Sequence, residues 1–178
     1  MSWTTKKIVD QLTNVVEPSQ IKIDTNDLRF YGNDWSNIGE PNPSAIVFPT
    51  SIKEVQAIVN LANKLNFPLV PSGGRTGLSG GALARDKELV VSFNRMNKIL
   101  DFNKSDALVT CQPGVVTGVL KDFAKSKGLF YPVDFASVGS SQVGGNAATN
   151  AGGVNVLCLL YTSPSPRDLS TSRMPSSA

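Results

Sequence analysis

The sequence predicts an α+β fold, with an amino-terminal βαβ unit followed by a second small α/β subdomain. Three observations carry this. An apolar run at 45–48 precedes a helix-start signal, a helical apolar stripe and a second apolar run at 68–70. Further strand-like runs and one amphipathic helical pattern occupy 88–127. Two stretches dense in glycine and other small residues, 71–82 and 139–153, interrupt the pattern as loops.

In chain order, Ile8, Val9, Leu12, Val15 and Val16 recur at helical spacing behind Thr4 and Thr5 as caps, and Pro18 closes a short helix expected on the outside of the domain. From 19 to 42 periodicity is poor, and a turn is expected at 31–35, with the rings of Tyr31 and Trp35 anchoring the lead-in. Ala45, Ile46, Val47 and Phe48 form a strand that Pro49 ends. Ser51 and Glu54 make a capping box before the stripe Val55, Ile58, Val59, Ala62 and Leu65, which Asn66 and Pro68 stop. A strand over 67–70 follows, and a glycine-rich stretch leaves its end, where ligands of open α/β sheets tend to bind. Strands are expected at 88–93, 99–102 and 106–111. A turn at Gln112, Pro113 and Gly114 leads into a helix over 117–127 that buries Val119, Leu120, Phe123 and Ala124 and ends at Gly128.

Composition narrows the function. The chain has 178 residues, 40% hydrophobic and 17% charged, which suits one globular domain with a sizeable core. A formal charge of +3, spread as single or paired basic residues, gives no nucleic-acid footprint. Cys111 and Cys158 are too few for a disulfide framework or a zinc ribbon, and no metal site is assigned. No stretch approaches the ~20 apolar residues of a membrane span. The start of the chain lacks a secretory or transit signal, so the cytoplasm is the expected compartment.

The first small-residue stretch is Pro71, Ser72, Gly73, Gly74, Arg75, Thr76, Gly77, Leu78, Ser79, Gly80, Gly81 and Ala82. Its five glycines free the backbone to turn several N–H groups inward around an anion, with Arg75, Thr76 and Ser79 as further donors. A phosphate or diphosphate is the natural guest. The glycine offsets match neither the G-x-G-x-x-G turn nor the P-loop. The second stretch, 139–153, presents almost no side-chain bulk, so backbone can approach a flat ring or a phosphate. Its short polar groups are Ser140, Ser141, Asn146 and Asn150.

PSGGRTGLSGGA (71–82), QPGV (112–115) and VGSSQVGGNAATNAGG (138–153), in this order, resemble the PCMH-type FAD-binding domain of the vanillyl-alcohol-oxidase superfamily. The similarity spans 43–153 and is greatest to the branch of D-lactate dehydrogenases, glycolate oxidase flavin subunits and D-2-hydroxyglutarate dehydrogenases. The resemblance implies FAD as cofactor and a D-2-hydroxy acid (lactate, glycolate or 2-hydroxyglutarate type) oxidised to the 2-oxo acid, with an unidentified electron acceptor. It implies cofactor contacts at Pro71, Ser72, Gly73, Gly74, Arg75, Thr76, Gly77 and Leu78; at Pro113 and Gly114; and at Val138, Gly139, Ser140, Ser141, Val143, Gly144, Gly145, Asn146 and Asn150. With no histidine in the chain, a histidyl link is ruled out; residue type leaves a cysteinyl link open, and non-covalent binding is expected.

Three segments are expected: a helix and lead-in over 1–42, the FAD-binding domain over 43–153, and a Ser/Pro-rich tail over 154–178. The tail has no apolar period and is expected to be disordered. It also looks like translated adapter sequence, so the family pattern is expected to be truncated there, before the substrate-binding cap domain. No catalytic residue is assigned. Two other readings stay open: a flavoenzyme of another branch of the superfamily, and a non-catalytic module that binds a nucleotide phosphate.

Overall fold

The computed structural model describes residues 4–154, and the expectations for the tail, its first residue Val154 apart, lie outside them. Two sheets and five helices order those residues. The first sheet has four strands, β1 (Ile21–Lys22), β2 (Ala45–Val47), β3 (Leu69–Ser72) and β4 (Leu89–Ser92), in the spatial order β1-β2-β4-β3. β2, β4 and β3 run parallel, and β1 adds antiparallel at the edge. The second sheet is an antiparallel pair, β5 (Ile99–Asn103) and β6 (Leu108–Cys111).

β2 and β4 are apolar almost throughout because both of their faces are covered, whereas β3 at the sheet edge leaves Pro71 exposed. On one face Ala45, Val47, Leu89 and Val91 pack with Ile8 and Leu12 of α1 (Thr5–Leu12) and Ile58 and Ala62 of α3 (Ile52–Leu65). On the other, Ile46, Phe48, Val70 and Val90 meet Ala84, with Leu28 and Tyr31 of α2 (Thr25–Tyr31) against them. α1 therefore lies on the outside, as expected, while its two buried residues enter the main core. Asn66 ends α3 in the left-handed conformation with φ 54°, which explains the stop there.

Several expectations need correction. The lead-in 19–42 holds both β1 and α2. Neither left a periodic signal, because β1 is two residues long and α2 fully buries none of its side chains. Trp35 does not anchor the lead-in: it is 72% exposed, and Tyr31 alone packs inward, edge-on to Phe48. The capping box at α3 is half formed. Ser51 accepts from the Glu54 backbone N–H, but the Glu54 carboxylate turns to Thr50 and Gln20 instead of returning to the Ser51 N–H.

β3 runs on through Pro71 and Ser72, so the loop starts at Gly73. Pro71 is tolerated because β3 is an edge strand. In α4 (Thr117–Ser126) the buried residues are Thr117, Leu120 and Ala124, whereas Val119 is exposed. The second small-residue stretch is not a loop throughout, since Val143–Ala148 forms helix α5. Its two glycines conceal it from propensity, and contacts with the rest of the chain hold it in place.

Candidate functional site

The parallel strands β3 and β4 end side by side, with Ser72 paired to Ser92. Both serines are fully buried. The first glycine stretch leaves β3 at this point, while β4 passes into a turn carrying Asn94. The second stretch arrives at the same place. Gln142 Nε2 donates to Asn94 Oδ1 at 2.8 Å, and a Cβ added at Gly73 would stand 3.3 Å from Gln142 Oε1. A Cβ at Gly74 would collide with the Ser140 carbonyl oxygen, so the two stretches touch backbone to backbone.

Beyond this junction the first stretch is held by the lead-in. Buried Asp34 accepts from the Ala82 N–H at 3.3 Å and from Ser36, and the Trp35 N–H donates to Gly77 O at 3.1 Å. Arg75 takes φ 58° and lays its guanidinium 4.3 Å from the ring centre of Phe30 and 5.0 Å from that of Tyr31. Burial lowers the pKa of Arg75 from its ordinary value, although Tyr31 works the other way. Thr76 is half-buried, and Leu78 stands exposed at the rim.

The second stretch is stapled to α4. Thr117 donates from its N–H and its hydroxyl to Ser141 O, shares a 2.8 Å hydrogen bond with Ser141 Oγ, and accepts from Asn146 Nδ2 at 2.6 Å. The Gly118 N–H donates to Val138 O, and the Val143 N–H to Val115 O. Pro113 and Gly114 form the corner between β6 and α4. The Gly144 N–H donates to Pro113 O, and a Cβ at Gly114 would strike Phe93 O. Asn150 lies beyond α5, exposed, with φ 53°.

This geometry sorts the candidate residues by what the fold already requires of them. Gly74, Gly114 and Gly144 have close backbone or proline neighbours, so packing explains them. Ser141 and the Asn146 amide serve Thr117. Gly139 and Gly145 are different: a Cβ there would meet nothing within 4 Å, and at Gly77 it would meet only Asp34 Oδ2 at 3.9 Å. None of these three has positive φ. Nothing in the described chain demands glycine at them, and a ligand lying close to the backbone would.

The polar groups agree. Among the described residues the backbone N–H groups from Gly73 to Ser79 donate no hydrogen bond. The buried side-chain atoms without a partner among the described residues are Ser72 Oγ, Ser92 Oγ, Gln142 Oε1 and Arg75 Nη1, all on or beside this stretch. Such atoms are rare in folded proteins and call for a partner. Backbone donors, serine hydroxyls, a guanidinium and unfilled glycine positions together suit a diphosphate with hydroxyl groups beside it, so the residues present fit FAD.

Sequence reading missed Asp34, Asn94, Thr117 and the Gln142 side chain. Gln142 carried a usable signal, being the longest polar side chain among the small residues of 139–153. Groups suited to proton transfer are poor here. Burial pushes the Cys111 thiol up, and burial followed by the neighbouring Cys111 pushes the Tyr131 phenol up. Among the described residues no three His, Cys, Asp or Glu groups gather as a metal site.

A family model described as an FAD binding domain matches residues 43–159. The D-2-hydroxyglutarate dehydrogenase of Stutzerimonas stutzeri is 56% identical over 154 residues, covering 86% of this chain and 33% of that protein. The D-lactate dehydrogenase of Anaerostipes hadrus is 40% identical over 128 residues, covering 72% of this chain and 27% of that protein. An alkyldihydroxyacetonephosphate synthase structure aligns with TM-score 0.77 and 25% identity over 88% of this chain and 33% of its own. The chain spans about a third of the length of the curated relatives it matches.

Proposed function

The chain belongs to the PCMH-type FAD-binding domain family, and on that premise we propose that it holds FAD non-covalently as part of an oxidoreductase converting a D-2-hydroxy acid to the 2-oxo acid. One observation carries the reading: the two small-residue stretches meet backbone to backbone at the ends of β3 and β4, where Ser72, Ser92 and Gln142 leave buried polar atoms unpartnered. FAD, when bound, supplies the two-electron acceptor. The chain's own residues bind and orient it.

The backbone N–H groups of Gly73, Gly74, Arg75, Thr76, Gly77 and Leu78 turn toward the diphosphate, and Arg75 lends positive charge. Gly139 and Gly145 let the backbone lie against the ligand. Pro71, Pro113, Gly114, Val138, Ser141, Val143 and Gly144 hold the walls of this cradle in position. Ser140, Asn146 and Asn150 offer polar groups along it. No described residue is assigned to proton transfer.

The relatives named as D-2-hydroxyglutarate and D-lactate dehydrogenases support the hydroxy-acid class. In the full-length protein the electrons pass on to an unidentified acceptor. The cytoplasm is the proposed compartment, and among the described residues no helix is long and apolar enough to cross a membrane. The domain is proposed to occupy 43–153, with 1–42 as its lead-in.

Titration of the purified chain with FAD, followed by flavin fluorescence, tests the reading. Saturable one-to-one quenching and a yellow protein are expected. A colourless protein that binds ADP but not FAD would favour the nucleotide-phosphate module instead.

A further inference from the structure

Three of the unpartnered polar atoms belong to residues more than nine-tenths buried: Ser72 and Ser92, both at 0% exposure, and Gln142 at 6%. The serines sit opposite each other on β3 and β4, below the start of the glycine loop. Gln142 comes from the far wall. Its Nε2 is committed to Asn94 Oδ1, and this fixes the amide with Oε1 lying against Gly73, where a Cβ would stand 3.3 Å away. A side chain at 73 would crowd this oxygen, and glycine leaves it room.

The chemistry of this atom selects its partner. An amide oxygen only accepts hydrogen bonds, and ionised diphosphate oxygens carry no hydrogen. A phosphate contact is therefore ruled out, and the partner must bring a hydroxyl or N–H. FAD carries hydroxyls on both sides of its diphosphate, those of the ribityl chain and those of the adenosine ribose; the ribose is shared with ADP, so an ADP titration tells the two apart.

We propose that Gln142, positioned by Asn94, is a specificity-determining contact that accepts a hydrogen bond from the ribityl hydroxyl next to the FAD diphosphate. This rests on the FAD reading above. Ser72 and Ser92 supply rotatable O–H donors to the oxygens of the same region. The site thereby distinguishes FAD from nucleotides that share its diphosphate but lack the ribityl chain.

The test uses the full chain as wild type, Gln142→Leu and Asn94→Ala. Dissociation constants are measured for FAD, for FAD deoxygenated at the ribityl hydroxyl next to the diphosphate, and for ADP. Loss of one neutral hydrogen bond should weaken FAD binding about three- to tenfold in Gln142→Leu, and less in Asn94→Ala. For the deoxygenated analogue and for ADP, Gln142→Leu should stay within about twofold of wild type, because the contact is already missing.

Unchanged FAD affinity in Gln142→Leu would overturn the proposal, leaving the oxygen to a bound water. Equal weakening toward FAD and the analogue would also overturn it, as the mark of a purely structural role. If Gln142→Leu does not fold, the wild type decides: FAD and analogue constants within about twofold of each other reject the contact. A wild type that binds ADP but not FAD would instead remove the FAD reading itself.

Discussion

Gly74 and Gly77 stand three positions apart and answer to different constraints. A side chain at 74 must displace the Ser140 backbone, so Gly74→Val should both separate the two walls and destabilise the fold, by about 1–3 kcal/mol as overpacking does. A side chain at 77 has room, so Gly77→Ala should stay within about 0.5 kcal/mol of wild type while weakening FAD binding. Urea unfolding paired with FAD titration separates the two effects. Equal loss of stability in both variants would refute the distinction. Thr117 is a third case. Its buried hydroxyl serves Ser141 and Asn146, so Thr117→Val should cost about 1–3 kcal/mol by leaving buried groups unpaired. The glycine stretches were legible in the sequence because composition alone marks them. Which glycines are claimed by packing was not, since the deciding neighbours lie far along the chain. The same holds for Gln142, whose partner Asn94 is 48 positions away.

The long elements were the most readable. α3 announces itself through Ser51, its apolar stripe and Asn66, and Ile58→Ala should cost about 2–5 kcal/mol by opening a cavity in the main core. Thermal or urea unfolding would measure it. Short or glycine-bearing elements were hidden: β1 borrows its register from β2, α2 shows no buried stripe, and α5 depends on Pro113 and Thr117. A pH dependence belongs at this scale, because Glu54 joins α3 to the segment before it. Burial alone would raise its pKa, but hydrogen bonds from the Thr50 N–H, the Gln20 side chain and the Thr50 hydroxyl outweigh burial and lower it from the ordinary 4.5. A carboxylate lowered in the folded state adds stability that is complete above 4.5 and lost as pH falls through the lowered value. The group is part-exposed, so its share should be under about 1 kcal/mol. Urea midpoints between about pH 3 and 6 should show a shallower acid limb in Glu54→Gln.

For the whole molecule, strand order and cradle are one design. Three parallel strands bring β3 and β4 to a common end, and the second sheet with α4 carries the other wall to it. The class of fold and the pairing of the glycine stretches were legible from motif order. The position of β4 between β2 and β3 was not, because a strand's neighbours are set by how chain segments cross over. A ligand that binds only the assembled cradle should stabilise the folded chain by about 2.7 kcal/mol at a hundredfold excess over its dissociation constant. Melting curves with and without FAD would show it, and Gly74→Val should abolish the shift. The junction of the two walls also sets an order of events during synthesis. Both apolar clusters draw on residues no later than Phe93, whereas Ser140 and Gln142 emerge from the ribosome well afterwards. Collapse of the scaffold can therefore precede the proposed FAD cradle, and nascent polypeptides arrested before Ser140 should be compact yet unable to take up flavin.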